Sequence, residues 1–165
     1  MGKTYIRIDD RLIHGQIVVS WCGVLGIKEI IAIDDATASN KMLQQIMTMG
    51  VPRTYKTSIV TMEDGIKILD NAVDHNRLVI LRSPQSLPQI LPYIHDLENI
   101  NLGNIQKQDD SLYNLSSGAG GVLFFSQKDI DVIEKIYQEG IKIIIQMVPQ
   151  SSLRTWEHAK KSFNK

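Results

Sequence analysis

The stretch Arg7-Ile-Asp9-Asp10-Arg11-Leu-Ile-His14-Gly15-Gln16 brings two arginines, two carboxylates, an imidazole and a glycine into ten residues. A histidine side chain, with an ordinary pKa near ~6.5, is substantially neutral at physiological pH and can act as a nucleophile. Arg11 stands three residues before His14 and can neutralise an anion held beside the imidazole. Gly15 lets backbone pass close. The apolar segment 16–25 predicts a helix whose opening N–H groups point at the same spot. Such a set suits a phosphoryl group carried on or beside His14. A loop histidine and neighbouring Arg–Asp pairs are also ordinary surface features, so spacing alone leaves both readings open.

These residues need a scaffold, and the rest of the chain supplies its pattern. Short apolar, β-branched runs predict strands at 4–8, 29–33, 57–62, 77–81, 99–102 and 141–147. Near-continuous runs such as Leu78-Val-Ile-Leu81 imply strands covered on both faces, as in parallel sheets. Helical periodicity covers 41–49, 63–73 and 127–139. The last has a capping pair, Ser126 and Asp129, an apolar stripe of Ile130, Ile133, Ile136 and Tyr137, and a terminating Gly140. Alternating strands and helices predict an α/β fold, an open and mostly parallel sheet with helices on both faces. Residues 104–121 break the pattern. Their Gln-Lys-Gln-Asp-Asp and Ser-Ser-Gly-Ala-Gly-Gly runs predict a loop and hairpin, with one antiparallel strand at 122–125. In such sheets ligands gather at the carboxyl ends of the strands, where the Arg7–Gln16 segment lies.

Composition narrows the function classes. The chain has 165 residues, with 18 Lys+Arg against 18 Asp+Glu and hence no formal net charge. Residues 1–82 hold ten of the basic and nine of the acidic groups. No basic arm or acidic tail exists, and the footprint of a nucleic-acid binder is missing. One cysteine, Cys22, cannot form an internal disulfide, which suits a reducing compartment. Its place in an apolar helix predicts a buried, inert thiol. The longest uncharged runs, 15–27 and 111–127, are too short or too polar for a membrane span. A strand pattern beginning by Thr4 leaves no room for a signal peptide. The expectation is one cytoplasmic domain over residues 1–165.

The ten-residue stretch closely resembles the signature of the IIB component of the mannose/fructose/sorbose family of the bacterial sugar phosphotransferase system (PTS). The helix with Trp21, the strand Ile30-Ile-Ala-Ile-Asp34-Asp35, the segment Ile100-Asn-Leu-Gly-Asn104 and the late Gln146-Met-Val-Pro149 resemble family landmarks in the right order. The resemblance implies that His14 accepts a phosphoryl group from a phosphohistidine of the IIA component. It then passes that group to sugar held by the membrane components IIC and IID, at the inner face of the membrane. Arg11 would stabilise the phosphoryl oxygens, Asp10 would orient the imidazole or Arg11, and Arg7, Gly15 and Gln16 would support the pocket. No metal or organic cofactor is implied. After Asn104 the chain departs from the Lys-rich strand expected of relatives.

A rival comes from another class. Asp9, Asp10, Asp34 and Asp35 close the first two strands, where adjacent acids can bind Mg²⁺ as in receiver-like phospho-aspartate domains. That reading needs an acceptor Asp ending the third strand, where Thr61-Met-Glu63 stands, and a late strand-end Lys, where Leu102-Gly103 stands. Asp34 and Asp35 equally suit capping turns. No glycine fingerprint or Walker lysine loop supports nucleotide binding. His75, His95 and His158 lack metal-site spacing and are expected to face solvent. Trp21, Val18, Val19, Val24 and Leu25 leave open whether that helix is all core or also meets a partner.

Overall fold

The computed structural model describes residues 2–163. Nine strands occur among them: β1 (Thr4–Asp9), β2 (Ile27–Ile33), β3 (Lys56–Val60), β4 (Asn76–Leu81), β5 (Leu97–Asn104), β6 (Tyr113–Gly118), β7 (Gly121–Phe125), β8 (Ile143–Ile145) and β9 (Arg154–Thr155). Seven form a sheet in the order β3-β2-β4-β1-β5-β8-β9, parallel throughout except for β9. The helices are α1 (Gly15–Leu25), α2 (Asp35–Ala38), α3 (Lys41–Thr48), α4 (Met62–Leu69), α5 (Leu87–Ile90), α6 (Gln127–Gln138) and α7 (Trp156–Ala159).

The chain leaves central β1 towards β2 on one side and later adds β5 on the other. Right-handed connections running in opposite directions place their helices on opposite faces. One face carries α1, whose Val18 and Cys22 pack with Ile30, Ala32, Leu78 and Ile80. The other face packs Ile6, Ile8, Ile31, Val79 and Leu102 against Leu69, Leu87, Ile133 and Trp156. Leu78 to Leu81 are all buried, as expected of a parallel strand covered twice. The carboxyl end of β1 therefore lies where connections diverge, a natural crevice for a site.

Several boundaries differ from the periodic expectation, each for a local reason. The third strand stops at Val60 because Thr61 caps α4, its hydroxyl accepting from the Asp64 amide at 3.1 Å. Helix α4 stops at Leu69 rather than 73. Buried Arg77 donates to the carbonyls of Ile68 (3.3 Å) and Asn71 (3.2 Å) just where the helix ends. The last parallel strand pairs only over Ile143–Ile145, and the Asn101 side chain then trades hydrogen bonds with the Gln146 backbone, each at 3.0 Å. The 104–121 break contains a hairpin as expected: β6 and β7 pair antiparallel as a separate two-stranded sheet. Its turn uses positive φ at Gly118, Ala119 and Gly120. The antiparallel strand of the main sheet is the two-residue edge β9, which the pattern did not flag. The short turns 84–93 and α7 were also too brief to show a period. Helix α6 keeps its expected capping box of Ser126 and Asp129.

Among the described residues no helix is long and apolar enough to cross a membrane. His95 and His158 are exposed, but His75 corrects its expectation: it is half-buried, with a ring nitrogen 2.7 Å from Oε1 of buried Glu29. Cys22 is buried in α1, and that burial pushes its thiol pKa up to about 12. The folded protein should therefore react with an aromatic disulfide reagent at pH 8 only as fast as it unfolds, and promptly in urea. The same shift predicts stability falling as pH rises above the ordinary thiol pKa of about 8.5, because the unfolded chain then loses a proton that the folded chain keeps. Fast native labelling would contradict the buried placement.

Candidate active site

Strand alternation sends Ile6 and Ile8 to one core and Arg7 and Asp9 to the opposite face of β1. Asp9 is buried. Its Oδ1 accepts from both the backbone amide and Nε of Arg11, each at 3.0 Å, while its Oδ2 accepts from Arg11 Nη2 at 2.9 Å. The same Oδ2 accepts from Arg7 Nη2 at 3.3 Å and Arg7 Nε at 3.4 Å. One carboxylate thus holds two guanidinium groups.

The two arginines differ in setting. Arg7 is only 2% exposed, and burial lowers its pKa, opposed by attraction to Asp9. Its guanidinium lies over Gly103 of neighbouring β5. A Cβ at that position would stand 2.4 Å from Arg7 Cζ, so any larger residue would have to push the guanidinium aside. Arg7 also donates to the Gln146 carbonyl at 3.4 Å. Arg11 keeps 29% side-chain exposure and meets Asp9 through Nε and Nη2, which leaves Nη1 without a protein partner among the described residues. Met147 Sδ touches both, 3.5 Å from Arg7 Nη2 and 3.8 Å from Arg11 Nη2.

Beyond Arg11 the chain turns sharply. Leu12 takes φ +63°, a left-handed conformation costly for a leucine, and is held there by a fully buried side chain and by its amide on the Asp9 carbonyl at 2.9 Å. The turn delivers His14 to the N-cap of α1 in extended conformation. The His14 carbonyl accepts from the amides of Ile17 (3.0 Å) and Val18 (3.1 Å), while its imidazole is exposed and makes no capping bond. The amides of Gly15 and Gln16 therefore open the helix beside the ring, with no acidic side chain in the first turn to oppose their positive end.

His14 and Gln16 are exposed where α1 begins, Arg11 and Gly15 are partly exposed in the same loop, and Arg7 is buried in β1. Asp10 is turned elsewhere. Its carboxylate accepts from Asn104 Nδ2 at 3.1 Å and from the Gln106 amide at 2.6 Å, tying the loop to the end of β5. The orienting contact expected of Asp10 on Arg11 is made by Asp9. Arg82, at the end of β4, was not singled out from the sequence. It donates to the Asp10 carbonyl, to Thr37 Oγ1 at 3.1 Å and, through Nε, to Asp34 at 3.1 Å. Applying the strand-end rule to every strand would have found it. Asn104 fastens the other side, its Oδ1 accepting from the Val122 amide at 3.0 Å.

The four acids of the Mg²⁺ reading are all engaged by protein donors. Asp34 caps α2, accepting from the Thr37 amide at 3.1 Å and its hydroxyl at 2.5 Å. Burial opposes its ionisation, but those bonds and Arg82 outweigh it and hold the carboxyl below the usual range. Asp35 accepts from the Met62 amide at 2.8 Å. Among the described residues no group of three or more His, Cys, Asp or Glu could hold a metal ion. Because Asp9 neutralises a nearly inaccessible guanidinium, Asp9→Ala should cost about 3–5 kcal/mol in urea unfolding, against about 1–2 for Asp10→Ala. Equal losses would mean that the two carboxylates share the load.

Sequence and fold are both shared with known proteins. The family model of the PTS system sorbose subfamily IIB component matches residues 3–165. A probable phosphotransferase enzyme IIB component of Streptococcus pyogenes serotype M6 is 30% identical over 154 residues, covering 85% of this chain and 94% of that protein. The N-acetylgalactosamine-specific phosphotransferase enzyme IIB component 1 of Escherichia coli K12 is 29% identical over 146 residues, covering 87% and 89%. The crystal structure of the IIBSor domain of the sorbose permease from Klebsiella pneumoniae shares the fold, with a TM-score of 0.82 at 19% identity over 98% of each chain. By the extent of the family match and the identity to such a relative, this chain belongs to the sorbose-subfamily IIB components of the sugar PTS and is a phosphotransferase of that system.

Proposed function

We propose that His14 is the residue that takes and gives the phosphoryl group. The observation that carries this reading is an exposed imidazole at the N-terminus of α1, three residues on in the same loop from an arginine whose guanidinium is fixed on a buried carboxylate. A neutral His14 nitrogen attacks the phosphorus of a phosphohistidine on the IIA component. A new N–P bond forms, and the electrons of the old one return to the donor imidazole. In the second step a sugar hydroxyl oxygen attacks the same phosphorus, the N–P bond electrons return to His14, and the hydroxyl proton passes to base or solvent.

In both steps negative charge spreads over the three equatorial oxygens, and catalysis consists of positioning and charge stabilisation. The free Nη1 of Arg11 and the amides of Gly15 and Gln16 supply donors for those oxygens. Asp9 pins Arg11 in advance, so little reorganisation is needed when charge develops. Asp10, with Arg82 and Asn104, sets the path of the loop and not the imidazole. Family membership implies IIA, IIC and IID as partners, and the sugar step places the protein at the cytoplasmic face of the membrane beside IIC and IID. No metal or organic cofactor takes part in either step.

His14→Ala should abolish labelling by phosphorylated IIA while leaving the thermal midpoint unchanged. Labelling of that variant at the wild-type rate would sink the assignment. Arg11→Ala should slow transfer by about 10²–10³-fold with little change in donor KM. A rise in KM alone would make Arg11 a contact residue instead. Acid treatment should release the label, as an N–P bond requires.

A further inference from the structure

Helix α3 has no buried residue, yet it is rich in apolar side chains. Met47 and, after the helix, Val51 turn inward to the cluster that also contains Leu12 and Ile13 of the His14 loop. A second stripe turns outward: Met42, Ile46 and Met49, spaced i, i+4, i+7, are 72%, 59% and 81% exposed. The stripe ends beside the site. A Cβ on Gly15 would lie 3.7 Å from Gly50 Cα, so the turn after Met49 abuts the first residue of α1. The local charge is one-sided. No acidic residue occurs between Asp35 and Glu63, whereas exposed Lys41 and Arg53 flank the stripe.

We propose that the Met42–Ile46–Met49 stripe, with Lys41 and Arg53 at its ends, is the surface on which the phosphohistidine-bearing donor protein docks. The proposal rests on the reading of His14 as acceptor. Any donor must bring its phosphohistidine to His14, so the surface continuous with Gly15 lies under it during transfer. The basic flank distinguishes donor from acceptor. The donor arrives carrying the anionic phosphoryl group, which Lys41 and Arg53 attract. When the sugar-bearing membrane component arrives the phosphate already sits on this chain, and the same charges give that partner no such attraction. The fitting partner patch is apolar, edged by acidic side chains and set beside the donor histidine. Unbranched methionines suit a contact that must form and release in every cycle.

The test uses the double variant Met42→Glu/Ile46→Glu and the triple glutamine variant at 42, 46 and 49, all exposed positions. Transfer from the phosphorylated IIA protein of the same transport system is followed across donor concentrations. Donor KM should rise by about tenfold or more in both variants with the plateau rate within about twofold, as for loss of central apolar contacts. Protein already phosphorylated should pass its label to sugar through the membrane components at the wild-type rate. Unchanged donor KM in the glutamine variant overturns the proposal. So does a defect confined to the sugar step, which would assign the stripe to the acceptor, or a wild-type dimer that the variants dissociate, which would assign it to a second copy. The reading beneath fails separately: wild-type protein would then carry no label, or carry it elsewhere than on His14.

Discussion

The Asp9 carboxylate is the interaction on which the site depends. Two cationic side chains from the same strand end converge on it, one buried and one half-exposed. A guanidinium buried alone would carry a heavy desolvation cost. Asp9 offsets it for Arg7, and the same carboxylate aligns Arg11 through two parallel bonds and a third from the backbone amide. The arginines divide the labour. Arg7 is fixed in the packing between β1, β5 and the end of β8, while Arg11 keeps an edge turned towards solvent.

That arrangement needs small and adaptable neighbours. Gly103 leaves room for the Arg7 guanidinium to cross β5, and Met147 fills the space against both arginines with a polarisable sulfur. Trp21 then joins α1 to this region, donating from its indole to the Met147 carbonyl at 3.0 Å. It is buried, so this part of α1 is core, while Val24 one turn on is 64% exposed. Arg82 and Asn104 hold the loop from β4 and β5, so its strained turn at Leu12 is fastened from both sides. His14 is left exposed on a support that is otherwise bonded.

Net charge is a poor guide to such a protein. Eighteen basic and eighteen acidic residues cancel, and Arg7 and Arg11 cancel Asp9 and Asp10 within the loop. The geometry separates what the count sums. Asp9 and Asp10 have their oxygens taken by the protein, whereas Arg11 and the α1 amides still have donors to offer. A neutral loop can therefore present a positive face to a phosphoryl group.

Much of this was legible in the sequence. The strand runs and the Ser126 capping box reflect local physics: burial on both sides of a strand, and satisfaction of helix-end amides. The ten-residue loop likewise groups an imidazole, an arginine and a glycine before a helix, a local arrangement that marks a candidate phosphoryl site although spacing alone left an ordinary surface loop equally open. The division of roles within the loop was not legible. Asp9 and Asp10 are adjacent acids, and only strand direction and pairing send one beneath Arg11 and the other to Asn104 and Gln106, about 95 residues away along the chain. The strand-end rule reaches Arg82, and Gly103 and Met147 lie in segments the sequence already marks, but the roles of all three were not legible, since each acts through contact with a segment distant in sequence. Helix α4 ended early through a buried arginine from the next strand. Local pattern determined which residues could carry phosphate and which elements would present them. Only the tertiary structure decided which charges stay available, because that depends on which partners reach them across the sheet.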